Sequence, residues 1–313
     1  MGRPSLDPEL AAYLAGRGAA LTESIPFEGI TAARAASDAR AASDLEKLVA
    51  RPDLCLTRRE EAAALVLTSP GRAAPAPMLF YIHGGGGYSG SSVTGLRAVA
   101  DLAMPLGVTV VSVDYRLAPE HPLPTALDDV LEAYCWALQH ADELGIDPAR
   151  CIIAGASAGG GLAATLALRL RDQGRTAPLG LMLFEPMLDD RPTTASRRWA
   201  PGGLTWDSVS DAAAWSALLG EAAGDRRAAR RAVAARARDL GGLPPTYLDA
   251  GSVEIFRDDV VRFAGRLWDA DGEAELHIWP GGFHCFDILA PWSRLAQAAA
   301  VARLTWLRAR ICS

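Results

Sequence analysis

A serine in the middle of the chain has the sequence setting of a nucleophile. Ser157 lies in a G-x-S-x-G pattern, between an apolar run that ends at Ala154 and a helix-forming run that begins at Leu162. A strand, a tight turn and a helix in this order form a nucleophile elbow, which exposes the serine hydroxyl above a sheet. The pattern predicts that Ser157 is a nucleophile; the structural alternative is a Gly- and Ala-rich turn that only packs a helix on a sheet.

A serine hydroxyl is a poor nucleophile at neutral pH, so it needs a base, and the base needs an acid that orients it. With a nucleophile elbow the expected chain order is serine, acid, histidine, and two of the five histidines follow Ser157. His277 lies inside a predicted strand and is expected to be structural. His284 follows the last predicted strand in a glycine-containing loop, so we expect it to be the base.

The acid is expected in the loop after the preceding strand, where several carboxylates leave the choice open. Glu254 lies in the loop itself, and Asp249 lies in the strand before it. Asp258 and Asp259 precede a predicted helix and would complement its N-terminal dipole. Position alone therefore makes Glu254 a candidate without eliminating the others.

An oxyanion hole needs backbone amides that point at the charge that develops on the substrate. Ala158, directly after the serine, supplies one amide, and the glycine run 84–87 after a predicted strand supplies the rest. The alternative of a phosphate-binding loop is disfavoured, because no Gly-Lys-Ser/Thr follows and the glycines do not open directly into a helix.

The elements that must position these residues alternate between strand and helix. Apolar runs predict strands at 78–82, 108–113, 151–156, 179–184, 246–251 and 275–279, and helical patterns predict helices at 96–106, 124–140, 162–170, 259–268 and 292–310. This alternation predicts an α/β fold with a mostly parallel central sheet and helices on both faces. Residues 54–67 suggest two additional antiparallel strands.

Two stretches do not fit the alternation and predict a helical cap. Residues 1–50 are helical in pattern, and residues 191–240 follow a strand without containing one. The predicted core is then 51–190 with 241–313. Five aromatic residues are candidates for lining a substrate pocket, with cap–core packing as the alternative for the three tryptophans: Tyr88, Trp199, Trp206, Trp215 and Phe283.

Composition excludes several other classes of function. The 313 residues carry a net charge of −6, so neither nucleic acid nor an anionic membrane is an expected partner. The basic cluster 226–238 is interleaved with alanine and predicts a solvated helix face. No apolar stretch approaches about 18 residues, and no apolar segment follows the N-terminus, so neither a membrane span nor a signal peptide is expected. Five separated cysteines without C-x-x-C predict reduced thiols in a cytosol and no metal site.

Four motifs in order resemble those of the hormone-sensitive-lipase family of α/β-hydrolases, over nearly the whole chain: His83–Gly86, Asp114–Glu120, Gly155–Gly160 and Gly282–His284. The resemblance implies an α/β-hydrolase core with a helical cap, Ser157 as nucleophile and His284 as base. It implies Gly85, Gly86 and Ala158 as oxyanion donors. Residues 254–259 resemble the family's Asp-Pro-Leu-Arg-Asp-Glu, which implies Glu254 as the acid.

The sequence departs from the family pattern at two positions. Glu254 stands where the family more often has Asp, and Ala156 stands where Asp or Thr is usual. The second departure leaves the predicted triad intact but changes the support of the elbow.

The resemblance implies a cytoplasmic serine carboxylesterase that needs no metal or cofactor and acts on small-molecule esters. No extended apolar lid is present, which favours short- to medium-chain acyl groups. An amide, lactone or carbamate hydrolase, or an acyltransferase, would use the same triad. A non-catalytic receptor is less favoured, because receptors that resemble this family lack the histidine present here as His284. Family members often dimerise, so we expect a homodimer.

Overall fold

One eight-stranded sheet is the centre of the computed structural model, which describes residues 3–18, 23–199, 201–202, 204–220 and 232–312. The strands are β1 (Cys55–Arg59), β2 (Ala64–Thr68), β3 (Ala76–Ile82), β4 (Thr109–Val113), β5 (Ile146–Ala156), β6 (Gly180–Phe184), β7 (Thr246–Gly251) and β8 (Ala274–Trp279). Their order is β1-β2-β4-β3-β5-β6-β7-β8. β1, β2 and β4 pair antiparallel, whereas all pairs from β4 to β8 are parallel. The predicted mostly parallel sheet is confirmed.

The central strand β3 shows why the apolar runs predicted strands. All of its residues are buried. Met78 and Phe80 belong to the core on one face of the sheet, and Leu79 and Tyr81 belong to the core on the other. Successive side chains of a strand point to opposite faces, so a strand covered by helices on both sides must be apolar throughout.

The helices cover both faces of the sheet, as predicted. They are α1 (Pro8–Arg17), α2 (Ile30–Val49), α3 (Leu96–Ala103), α4 (Thr125–Gln139), α5 (Ala141–Leu144), α6 (Ala158–Asp172), α7 (Ser208–Leu219), α8 (Arg257–Asp269), α9 (Phe286–Leu289) and α10 (Arg294–Ile311). α4, α6 and α8 pack in one core and α3 and α10 in the other. The helix predicted at 96–106 ends early and continues as a 3₁₀ turn, because Pro105 has no amide hydrogen to donate. In the part of the chain that the structure describes, no helix has the length and apolarity of a membrane span.

The N-terminal helices contact the segment predicted as a cap. Leu10 and Leu14 of α1 pack with Leu204 of the insertion and with Phe283. Within the described part of residues 191–240, α7 is accompanied by 3₁₀ turns and no strand occurs. These contacts fit the interpretation of a helical cap, although the domain boundaries stay a prediction. Most of the basic cluster 226–238 lies outside the described residues.

A buried arginine links the insertion to the core. The guanidinium of Arg197 lies 2.6 Å from Asp259 at the start of α8 and also pairs with Asp211 of α7. It donates to the carbonyl of Asp189 in the loop after β6. Burial raises the pKa of Asp211 to about 6, and Arg197 opposes that rise. A buried cation is tolerated only when it is paired in this way.

The turn between β5 and α6 predicts a sharp difference between two glycine substitutions. A Cβ on Gly155 would lie 2.2 Å from the carbonyl oxygen of Gly159, whereas a Cβ on Gly265 in α8 would meet nothing within 4 Å. Gly155→Ala should therefore lower the free energy of unfolding by about 1–3 kcal/mol or more. Gly265→Ala should raise it by up to ~1 kcal/mol, because alanine favours a helix interior. Urea unfolding measures both; equal stability of the two variants would contradict the close crossing.

Candidate active site

The turn between β5 and α6 holds Ser157 in a backbone conformation that few residues adopt. Its φ is 53°, a left-handed value, and non-glycine residues with such values are concentrated at functional sites. A Cβ on Gly159 would lie 2.1 Å from the carbonyl oxygen of Ile82, so the chain crosses β3 closely here. The Ser157 amide donates to the Phe184 carbonyl, and its carbonyl accepts from the Met187 amide, both at 2.9 Å.

The side chains of Ser157, His284 and Glu254 form one chain of hydrogen bonds. His284 Nε2 lies 2.9 Å from Ser157 Oγ, and His284 Nδ1 lies 2.6 Å from Glu254 Oε2. All three side chains are buried. The Gly251 amide donates to Glu254 Oε1 at 3.0 Å. When Glu254 is ionised it can only accept, so Nδ1 then carries the hydrogen and Nε2 is left free to accept from the serine hydroxyl.

The loop that carries His284 is held by both the core and the insertion. It follows β8, and Cys285 turns it back with a φ of 64°. The hydroxyl of Thr205, in the insertion, donates to the His284 carbonyl at 2.6 Å. The ring of Phe256 packs edge-on against the imidazole at 5.1 Å.

Burial sets the protonation of this cluster. It lowers the pKa of His284, because a charged imidazolium loses its hydration, while the charges of Glu185 and Asp287 oppose the shift. Burial likewise raises the pKa of Glu254 well above its usual range, and the Gly251 amide opposes that rise. The imidazole is therefore neutral at neutral pH, the state in which Nε2 can take a proton.

The glycine run lies beside the serine, where the sequence placed it. A Cβ on Gly84 would lie 3.2 Å from Ser157 Cβ. Gly85 and Gly86 have φ values of 112° and 64°, which only glycine adopts without strain. Ala158 is the first residue of α6, so its amide has no partner within the helix. Backbone amides from two elements thus border the serine.

His83 holds the glycine run from below. It is fully buried, and its Nδ1 lies 2.7 Å from the Gly84 carbonyl, which requires an N–H at that position. Its ring stacks on Tyr115 at 4.2 Å, and the Tyr115 hydroxyl donates to the His83 carbonyl at 2.9 Å. Burial lowers the pKa of His83 to about 4, so it stays neutral.

Three of the five predicted pocket aromatics lie near the serine and two do not. Trp206 lies 6.1 Å from the His284 ring and stacks on Tyr88 at 6.3 Å. Trp215 lines a small apolar cavity next to Ala158. Phe283 instead stacks on Tyr13 of α1 at 6.5 Å. Trp199 lies against the guanidinium of Arg257 at 4.8 Å.

The other acids and the second histidine that the sequence offered are paired away from His284. Within the described residues their contacts are Asp249 with Arg303 at 2.8 Å, Asp258 with the Ser196 amide at 2.8 Å, Asp259 with Arg197 at 2.6 Å and His277 with Glu275 at 2.8 Å. Glu254 is the acid among the four candidates that hydrogen-bonds to His284.

Glu185 is part of the cluster although the sequence did not single it out. It follows β6, and its Oε2 accepts a hydrogen bond from the Cys285 amide and lies 3.5 Å from His284 Nδ1. It is also one of the few non-glycine residues with positive φ, at 46°. The signal that could have found it is a carboxylate directly after the strand that neighbours the nucleophile strand.

One set of residues in the described part of the chain has the spacing of metal ligands. Ligand atoms of Glu185, His284 and Cys285 all lie within 4.8 Å of one another. The histidine of this set already bonds to Ser157 and Glu254, so a metal there would compete with the hydrogen-bond chain.

Comparison with known proteins agrees with this geometry. A family model described as alpha/beta hydrolase fold matches residues 79–288. An esterase of Acinetobacter venetianus is 34% identical over 228 residues, which are 73% of either chain. The mouse hormone-sensitive lipase is 42% identical over 110 residues, 35% of this chain and 14% of that protein. The structure of a bacterial heroin esterase superposes with a TM-score of 0.88, at 34% identity, and covers 99% of both chains.

The elbow, the parallel sheet and the glycine run define an α/β-hydrolase. The chain belongs to that family, in the group of ester-hydrolysing enzymes that includes the hormone-sensitive lipases.

Proposed function

We propose that this protein is a serine carboxylesterase that forms its acyl-enzyme on Ser157. The observation that carries the proposal is the continuous chain of hydrogen bonds from Glu254 through His284 to Ser157 Oγ. In this arrangement His284 is the base and Glu254 is the acid that orients it and stabilises the imidazolium.

The reaction proceeds in two halves. Ser157 Oγ attacks the ester carbonyl while its proton moves to His284 Nε2, and amides of Gly85, Gly86 and Ala158 donate to the oxyanion. The tetrahedral intermediate collapses, the C–O bond to the alcohol breaks, and His284 returns the proton to the leaving oxygen. Water then attacks the acyl-enzyme, gives its proton to His284, and the acid is released as Ser157 Oγ regains that proton.

The acyl group is proposed to be short to medium in length. The apolar cavity beside Ala158 is walled by Trp215, Leu218, Leu162 and Met187. The cavity is small, so these large side chains are proposed to favour a compact acyl group and to obstruct a long chain. Trp206, Tyr88 and the glycine run border the serine and are proposed to contact the substrate. A homodimer and a cytoplasmic location stay predictions.

Ser157→Ala should lower kcat/KM for p-nitrophenyl butyrate by about 10⁴-fold or more, because it removes the hydroxyl that attacks the ester carbonyl. A fluorophosphonate probe should add one adduct mass to the wild-type protein and none to this variant. Ser69→Ala is the control and should label normally, because the Ser69 hydroxyl donates to the Met104 carbonyl and belongs to no part of the proposed triad. Activity of Ser157→Ala within tenfold of the wild type would exclude the proposed mechanism.

The acid limb of kcat/KM should have its midpoint below about pH 6.5, the usual pKa of imidazole. Burial lowers the pKa of His284, so protonation removes the base only at a lower pH than in free histidine. Initial rates between pH 4.5 and 8.5 measure this limb, with circular dichroism to establish that the protein stays folded. A midpoint above pH 7, or no acid limb, would argue against His284 as the base.

Trp215→Ala should move the acyl preference toward longer chains, because it removes the largest wall of the cavity. We expect the ratio of kcat/KM for octanoate over acetate to rise about tenfold, since one or two methylenes in an apolar pocket are worth about 1–3 kcal/mol. A panel of p-nitrophenyl esters from acetate to palmitate measures this, with amide analogues to test the ester preference. Trp268→Ala, an exposed tryptophan in α8, is the control; the same profile for both variants would contradict the assignment.

A further inference from the structure

His284 has carboxyl groups from two different loops at the same ring nitrogen. Glu254 Oε2, from the loop after β7, lies 2.6 Å from Nδ1, and Glu185 Oε2, from the loop after β6, lies 3.5 Å from it. The carboxyl group of Glu254 is the acid of the proposed triad. The carboxyl group of Glu185 has no part in the proposed mechanism.

The position of Glu185 is firmly set by the backbone. Its amide donates to the Asp249 carbonyl at 2.9 Å, and the residue before it, Phe184, accepts from the Ser157 amide at 2.9 Å. The Cys285 amide donates to its Oε2. Hydrogen bonds therefore connect the backbone at Glu185 to β7 and, through Phe184, to Ser157. The Cys285 amide connects the Glu185 side chain to the loop that carries His284.

The side chain is buried without being fully satisfied. Glu185 is only 3% exposed, and within the described structure its Oε1 has no hydrogen-bond partner. A buried carboxyl with an unpaired oxygen costs free energy, so simple packing does not account for a glutamate here. Its ionisable neighbours include the imidazole of His284, at 3.5 Å, and the thiol of Cys285.

We propose that Glu185 is a second positioning acid for His284, which shares with Glu254 the task of stabilising the imidazolium through Nδ1. This inference rests on the proposed function. Glu254 is the primary acid because it makes a hydrogen bond to Nδ1, at 2.6 Å. Glu185 needs to approach by less than about 1 Å to reach ordinary hydrogen-bond length, and it takes over when Glu254 is removed.

The charges around Glu185 and Glu254 favour one negative charge on the two carboxyl groups together. Burial raises the pKa of Glu185 well above its usual range, and the charges of Glu254 and Asp287 raise it further. His284 and Arg303 oppose that rise. Two buried carboxyl groups at one site do not both ionise easily. Glu254 therefore carries the charge, and Glu185 stays protonated while Glu254 is present. Removal of Glu254 takes away a repulsive charge and favours ionisation of Glu185.

The test is a double-mutant cycle in the full-length protein on Glu254→Ala, Glu185→Gln and the pair. Alanine is chosen at position 254 because a glutamine there would present its NH₂ to Nδ1 and hold the wrong tautomer. Glutamine is chosen at position 185 because its carbonyl still accepts from the Cys285 amide while the charge is lost.

We expect Glu185→Gln to lose less than tenfold in kcat, and Glu254→Ala to lose about 10²-fold. The double variant should lose about 10⁴-fold, the scale of losing all charge at the triad acid. The acid limb of kcat/KM should stay in place in Glu254→Ala and move to lower pH in the double variant, because only there does the imidazolium lose both carboxylates. A residue that merely packs would not move this limb.

Equal kcat in Glu254→Ala and the double variant, within threefold, would overturn the inference, as would an unchanged acid limb. Asp287→Asn in the Glu254→Ala background is the control for a charge that acts from farther away, and it should cost no more than a few-fold. Should Glu185→Gln fail to fold by thermal melting, Glu185→Met allows the same comparison. The proposed function has its own test: it is contradicted if Ser157→Ala stays active or is still labelled by the fluorophosphonate probe.

Discussion

The close crossing of β5, α6 and β3 at Ser157 is the constraint on which the rest of the structure depends. Glycines at 155 and 159 let the backbones touch, as a Cβ at either position would lie about 2 Å from a carbonyl oxygen. Ser157, between these two glycines, has a φ of 53°. The rest of the cluster is arranged around this turn. The glycine run lies beside it, the end of β6 accepts from the Ser157 amide, and the segment after β6 donates to the Ser157 carbonyl.

Parallel topology brings the remaining groups to the same place. The carboxyl ends of parallel strands lie at one edge of a sheet, so the loops after β6, β7 and β8 deliver Glu185, Glu254 and His284 together. Such a concentration of buried acids needs a balancing cation nearby. Arg303 of α10, which is buried and bonded to Asp249 and Asp287, provides one. The last helix therefore contributes to the electrostatics of a site that it does not touch.

The sequence predicted the strands, the parallel sheet and the order of the serine, acid and histidine, because burial on both faces leaves a continuous apolar run and the motifs are local. It left the acid open among four residues until the family resemblance favoured Glu254. It did not single out Glu185 or the Arg197 ion pairs. The structure places Trp199 and Phe283 against Arg257 and Tyr13, and their part in substrate binding stays a prediction. The contacts of these residues share a feature: local patterns report burial, but which side chains meet across loops depends on the three-dimensional path of the chain. The catalytic roles themselves stay a proposal.

Thr205 connects the insertion to the loop that carries His284. Its hydroxyl bonds to the carbonyl of His284, and Trp206 directly after it lies against the imidazole. His284, the proposed base, is thus held from the core by Glu254 and from the insertion by the Thr205 hydroxyl and the Trp206 ring. A movement of the insertion large enough to admit a bulky substrate would also displace His284, the proposed base. Substitutions in the insertion that alter the accepted substrate size are therefore expected to alter turnover as well.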